Sequence, residues 1–159
     1  MTEPGHQFEW AWILAIYQRQ TGHDVSDFAT ALVDFGECHG VDSMTGATFD
    51  TVRDDGLVLD RCSRAWTNTE RMQAAVAMFE LEGRDPSTVF LQSGGRLLDK
   101  YLAHLPRGTW IDHLDESGNP KVNKIPASSL YHFMISFAEV LRVREAVERR
   151  FSYPLSLTP

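Results

Sequence analysis

Apolar positions recur at helical spacing in five stretches, from Gln7 to Gln20, Val25 to His39, Asn68 to Glu82, Ser87 to His104 and Ser128 to Arg149. Turn or capping residues bound each stretch, so the pattern predicts a mostly α chain. Between the second and third helices, TFDTVRDDGLVL alternates around Asp55-Gly56 and predicts a short hairpin. Between the fourth and fifth, GTWIDHLDESGNPKV alternates and then reaches a Gly and Pro turn, predicting a second hairpin at the same kind of connection. The rhythm is helix, helix, hairpin, repeated, and then a last helix. Polar clusters open the odd-numbered helices at Glu3 to Trp10, Trp66 to Glu70 and Pro126 to His132, so each unit delivers polar groups to one helix end. Stacked helical hairpins of this kind form either an open solenoid or a closed toroid, and periodicity leaves both open.

The chain has 159 residues, 43% hydrophobic and 23% charged, which suits one globular domain spanning 1–159. Its net charge of -7, from 22 acidic and 15 basic side chains, argues against nucleic acid as a partner. Arg142, Arg144, Arg149 and Arg150 mix with Glu145 and Glu148 late on the last helix, which reads as a solvated face. Cys38 and Cys62 have no paired spacing, and MTEPGHQFEW has neither a basic leader nor an apolar core. The expectation is a cytoplasmic protein with reduced thiols. Apolar runs are short, Ile13 to Tyr17 being closed by Gln18, Arg19 and Gln20, so no membrane span is expected.

Within EPGHQFEWAWIL, Pro4-Gly5 sets His6 at a helix entry and Glu9 one turn on. The two can share a ligand, or His6 can cap the helix while Glu9 favours its first turn. Trp66 and Glu70, four apart at the third helix entry with Thr67 or Asn68 as N-cap, suit a sugar grip: indole over C–H groups, carboxylate on hydroxyls. A capped helix with a buried indole fits equally. His132, between Tyr131 and Phe133, reads as either a core histidine or an acid/base, and Trp110, Asp112 and His113 in the second hairpin as either packing or an aromatic rim. There is no Gly-rich phosphate loop, since Gly94-Gly95 lies inside a helical pattern, and no histidine spacing of metal-site type. Neither cofactor nor metal is expected.

Taken together these segments resemble the N-acylglucosamine 2-epimerase family. EPGHQFEWAWIL resembles its P-G-H-x-x-E-W motif, RAWTNTERMQAA its W-x-x-x-E substrate segment, and SSLYHFMISFAEV its last inner helix; GTWIDHLDESGNP resembles the hairpin before that helix in the mannose or mannose 6-phosphate isomerase branch. The resemblance implies a partial (α/α)6 barrel with short hairpins, about half a toroid, corresponding to the carboxy-terminal half of the family domain, as though the chain entered inside it. It also implies His6 and His132 as the proton-transfer pair, Glu9 as the partner of His6, and Trp10, Trp66, Glu70 and Trp110 as substrate contacts. The family usually has Pro and Gln after the substrate-segment tryptophan, where this chain has Thr67 and Asn68.

The implied activity is isomerisation or 2-epimerisation of a mannose-type aldose or its phosphate. An imidazole takes the proton beside the carbonyl and an enediol intermediate forms. Arg64, Lys121 and Lys124 are the cations near the motifs that a phosphate could meet. A competing expectation is an inactive half-barrel that only binds or oligomerises, because half a toroid bares apolar faces. A solenoid interaction module is the third.

Overall fold

The computed structural model describes residues 1–103 and 106–151. Five helices dominate: α1 (Pro4–Thr21), α2 (Ser26–His39), α3 (Ala65–Glu82), α4 (Ser87–Val89) and α5 (Ser128–Phe151). Helix α4 continues into π-helical turns at Phe90–Gly94 and Leu97–Leu102. The expected last residue of that helix, His104, lies outside the described residues. Ser93, Leu97 and Tyr101 are fully buried at a constant spacing of four. On an ideal helix of 3.6 residues per turn that spacing drifts around the axis, whereas alternating α and wider π turns keep the three in line.

Helices α4 and α5 start where the apolar pattern indicated and α2 within one residue of it, whereas α1 and α3 each start three residues earlier. Pro4 opens α1, where a missing N–H costs nothing and its fixed φ suits the first turn. Helix α3 opens at Ala65 after an extended Arg64, so Thr67 and Asn68 are not its N-cap. They lie in the first turn and donate from Oγ1 and Nδ2 back to the Arg64 carbonyl, at 2.8 and 2.7 Å. Gly22 and Gly83 end α1 and α3 with φ of 74° and 72°, the left-handed C-cap glycine adopts without strain.

Helix α3 is the axis of the packing. Residues 65 and 67–78 are all buried, so it meets neighbours all around. On one side Phe8, Ala11 and Ala15 of α1 and Ala29 and Val33 of α2 close on Ala74, Ala77 and Met78. On the other, Met72 and Ala65 share a cluster with Leu97, Tyr101, Leu114 and Phe133, and Val76 packs on Val143 and Val147 of α5. Arg71, 4% exposed in its side chain, ties the layers together: Nε and Nη2 donate to the two Glu37 carboxylate oxygens of α2 at 2.7 Å each. Its Nη1 donates to the Gly46 carbonyl at 3.3 Å and its Nη2 to Gln92 Oε1 at 3.1 Å.

The first hairpin forms as expected, strand β1 (Thr51–Val52) pairing antiparallel with β2 (Val58–Asp60). The second is different. A short hairpin does close, Gly118 and Asp115 N–H donating to the Asp115 and Asn119 carbonyls and Lys121 N–H to the His113 carbonyl, but its ladder is a single bridge between Leu114 and Pro120. Strand β4 (His113–Leu114) pairs on its other edge with β3 (Ser63–Arg64), immediately before α3. Arg142 meets Glu80 and Glu139, Arg144 meets Glu148, and Arg149 meets Glu145, the charged face anticipated for α5. Both cysteines are free. Among the described residues no helix is long and apolar enough to cross a membrane.

Candidate active site

The starts of α1, α3 and α5 converge, because the strands before α3 and the loop before α5 are joined. Ala65 N–H donates to the Asp112 carbonyl at 2.9 Å, and Ser129 Oγ to the buried Asp112 carboxylate at 2.7 Å. Gly5 lets α1 approach α3, since a Cβ there would lie 2.7 Å from Thr67 Cγ2 and 2.8 Å from Trp66 Cη2. Asn68 pins the start of α3 from within: Oδ1 accepts from Thr48 N–H at 3.2 Å and Nδ2 donates to Ser63 Oγ at 3.1 Å.

Four rings line up there. His6 and Trp66 have centroids 5.1 Å apart, Trp66 and His132 5.3 Å, and His132 and Tyr131 3.9 Å. Both imidazoles thus contact the one indole. His132 Nδ1 lies 2.6 Å from Glu70 Oε1, and Gln73 Nε2 donates to the same oxygen at 2.8 Å. Glu70 is 1% exposed. Burial pushes its carboxyl above the usual range, against the hydrogen bond and charge of His132, while the Glu9 charge pushes it further up. Burial, with Glu9 and Glu70, also raises the Tyr131 phenol.

Glu9 sits at the His132 end: its carboxylate, that of Glu70 and the His132 ring nitrogen lie within 4.8 Å of one another. The imidazole of His6 faces Glu3 instead, Nδ1 to Oε2 at 3.2 Å on the exposed side of α1. Trp10 is 56% exposed and makes no ring contact among the described residues. Trp110 packs edge-on against Phe133 at 5.5 Å in the second core cluster, its buried Nε1 without a hydrogen-bond partner among the described residues. Two carboxylates and an imidazole make a donor set that a divalent cation accepts. Spacing did not reveal it, because the three come from separate helices; in the fold Glu70 and His132 satisfy each other.

Sequence reading singled out neither Gln73 nor the Asp50–His113 pair. Gln73 carried a local signal, three residues after Glu70 on one helix. Asp50 Oδ2 and His113 Nε2, 2.6 Å apart, carried none, being brought together by the Asp50 N–H bond to the Cys62 carbonyl and the β3–β4 pairing that follows it.

Chemically, a carboxylate accepting from Nδ1–H of an imidazole fixes the tautomer with a lone pair on Nε2, the arrangement of an oriented base. Paired helices with such groups at one end are the plan of an α/α barrel. Residues 1–136 match the N-acylglucosamine 2-epimerase family, and the chain belongs to it. It is 31% identical over 144 residues to a mannose-6-phosphate isomerase of Rhizobium meliloti, covering 88% of this chain and 37% of that one. The crystal structure of a D-mannose isomerase superposes with a TM-score of 0.80 at 26% identity, over 89% of this chain and 37% of the other. A cellobiose 2-epimerase from Spirochaeta thermophila shares the fold with a TM-score of 0.76 at 16% identity, over 92% and 41%. The chain therefore spans about 37–41% of the length of these relatives.

Proposed function

We propose that this chain catalyses isomerisation or 2-epimerisation of a mannose-type aldose, free or phosphorylated, by proton transfer between His132, His6 and an enediol intermediate. The observation that carries the reading is the His132–Glu70 pair set beside Trp66, with His6 in ring contact with the same indole. His132, held through Nδ1, takes the proton from C2 of the open-chain sugar at Nε2. Glu70 stabilises the imidazolium that results. His6 supplies or removes the second proton at C1 for an isomerase, or at the opposite face of C2 for an epimerase. Glu9 lies at the His132 end, close enough to hold a hydroxyl or tune that imidazole, rather than orienting His6. Trp66 covers the C–H face of the sugar, while Trp110 packs on Phe133, the residue after His132, and Trp10 lies exposed on α1, one residue beyond Glu9. The chemistry uses only protons already on the substrate and on these side chains.

The same proposal makes residues 1–159 one domain, equivalent to the carboxy-terminal half of the family barrel, acting in the cytoplasm on a small sugar. The decisive experiment is hydrogen–deuterium exchange at C2 of mannose, mannose 6-phosphate and N-acetylmannosamine in heavy water, read by NMR. Wild-type exchange that falls by about a hundredfold or more in both His6→Ala and His132→Ala supports the reading. Folded wild-type protein that exchanges none of the three removes it and leaves the inactive half-barrel.

A further inference from the structure

From Met72 to Met78 the buried stretch of α3 is apolar except at Gln73. Gln73 is 1% exposed. Its Nε2 donates to Glu70 Oε1 at 2.8 Å, while its own Oε1 is buried without a hydrogen-bond partner among the described residues. An unpartnered buried carbonyl costs stability, and a methionine or leucine of similar volume would avoid that cost. Packing therefore does not account for the amide, whereas its donating half gives it a reason to be there.

Glu70 has need of that donor. Burial and the Glu9 charge oppose its ionisation, and His132 and Gln73 favour it. While His132 is neutral and able to take a proton at Nε2, its charge is absent. Glu70 Oε1 is then held by two N–H groups, Nδ1–H of His132 at 2.6 Å and the Gln73 amide at 2.8 Å. The imidazole arrives from α5, but the amide shares a helix with Glu70, three residues on, and so fixes the carboxylate against α3 itself. A carboxylate without it can turn about its terminal torsion, which is broad, or take up a proton. Either change removes the acceptor that selects the Nδ1–H tautomer.

We infer that Gln73 is a positioning residue: its amide locks Glu70 Oε1 in place for Nδ1–H of His132, and thereby keeps the lone pair of that imidazole on Nε2. The effect on rate rests on the proton-transfer reading above, while the effect on the tautomer does not.

Nitrogen NMR of the imidazoles in the full chain, without substrate and at a pH where His132 is neutral, reads the tautomer, and C2 exchange reads the rate. Gln73→Met and Gln73→Leu keep the volume and remove the amide. The unpartnered carbonyl goes with it, so both variants should melt no lower than wild type. The expected wild-type signal is Nδ1–H alone, and the expected signal in both variants is a mixture of Nδ1–H and Nε2–H. In the same variants kcat should fall about tenfold or more with KM nearly unchanged, because a fully buried side chain does not reach the sugar. An Nδ1–H tautomer that survives in both variants overturns the inference even where kcat falls, since the loss is then one of packing. Failure of both variants to fold overturns it for the same reason. A tautomer change in the variants, beside a wild type that exchanges no C2 hydrogen, leaves the inference standing and removes the proton-transfer reading. Wild-type exchange with an unchanged tautomer in both variants does the reverse.

Discussion

A buried carboxylate that serves an imidazole is held between two demands. Glu70 needs its charge to stabilise a protonated His132, yet burial opposes that charge and raises its pKa. With a raised folded value, the folded state keeps a proton that the unfolded chain has already lost. This contribution to stability is present below the unfolded value, about 4.3, and is lost as pH rises through the folded one. Glu70→Gln removes the titration while keeping an acceptor for His132 Nδ1–H and for Gln73. It also adds an N–H₂ group that the unpartnered Gln73 Oε1 can accept. The variant should melt at neutral pH no lower than wild type, and its stability should fall less between pH 4 and 7, while C2 exchange falls by roughly a hundredfold to ten-thousandfold. Thermal melts across that range, paired with exchange rates, check both halves; a large loss of stability at pH 7 would show that the charge supports the fold. At this scale the sequence singled out residues that the fold gathers at the starts of α1, α3 and α5, but not which of them meet. Spacing linked Glu9 to His6, but Glu3 is also three residues from His6, and it is Glu3 that the imidazole faces. A contact across helices, such as Glu9 with His132, has no signature within either segment.

Between elements, glycine and arginine set how α1, α2 and α3 fit together. Gly5→Ala places a methyl carbon under 3 Å from the Trp66 ring and the Thr67 methyl, an overpacked contact that costs about 1–3 kcal/mol. Gly22→Ala costs a similar or smaller amount, about 1 kcal/mol, for a different reason: φ is 74° but space is open around it. Both should lower the denaturation midpoint, and only Gly5→Ala should also shift the tryptophan emission and slow C2 exchange. Arg71→Ala strands the acceptors at Glu37, Gln92 and the Gly46 carbonyl. Because Glu37 is one-third exposed and can rehydrate, the expected cost is about 3 kcal/mol, the lower end for a broken buried pair, read as the urea midpoint. Helices were legible in the sequence because apolar spacing is local, and the starts of α1 and α3 alone were misplaced, because Pro4 and Ala65 sit outside the apolar repeat. The second hairpin misled for a related reason. Alternation marks a strand but not all its partners, and His113–Leu114 pairs with β3 as well as, briefly, with its own return.

At the scale of the whole molecule, two helix faces have no partner within the described fold. On α5, Leu130, Met134 and Leu141 are 50–65% exposed at a spacing that keeps them on one stripe, and on α1 Trp10, Ile13 and Tyr17 form another. A stripe of this kind normally marks a face that packs against another element, and isolated exposed leucines would not share a line. The described residues cover about two fifths of the length of the structural relatives, and none of them lies over these two faces. We propose that a second copy of the chain does so, through the α1 and α5 stripes. The net charge of -7 opposes that approach at long range, so association should strengthen with both concentration and salt, the direction hydrophobic burial and screening share. Light scattering coupled to size exclusion reads the mass directly. Met134→Lys with Leu141→Lys should return the chain to monomer without lowering its melting temperature, since neither side chain is buried; a wild-type monomer at all concentrations and salts would mean that the exposed faces do not pair with a second copy.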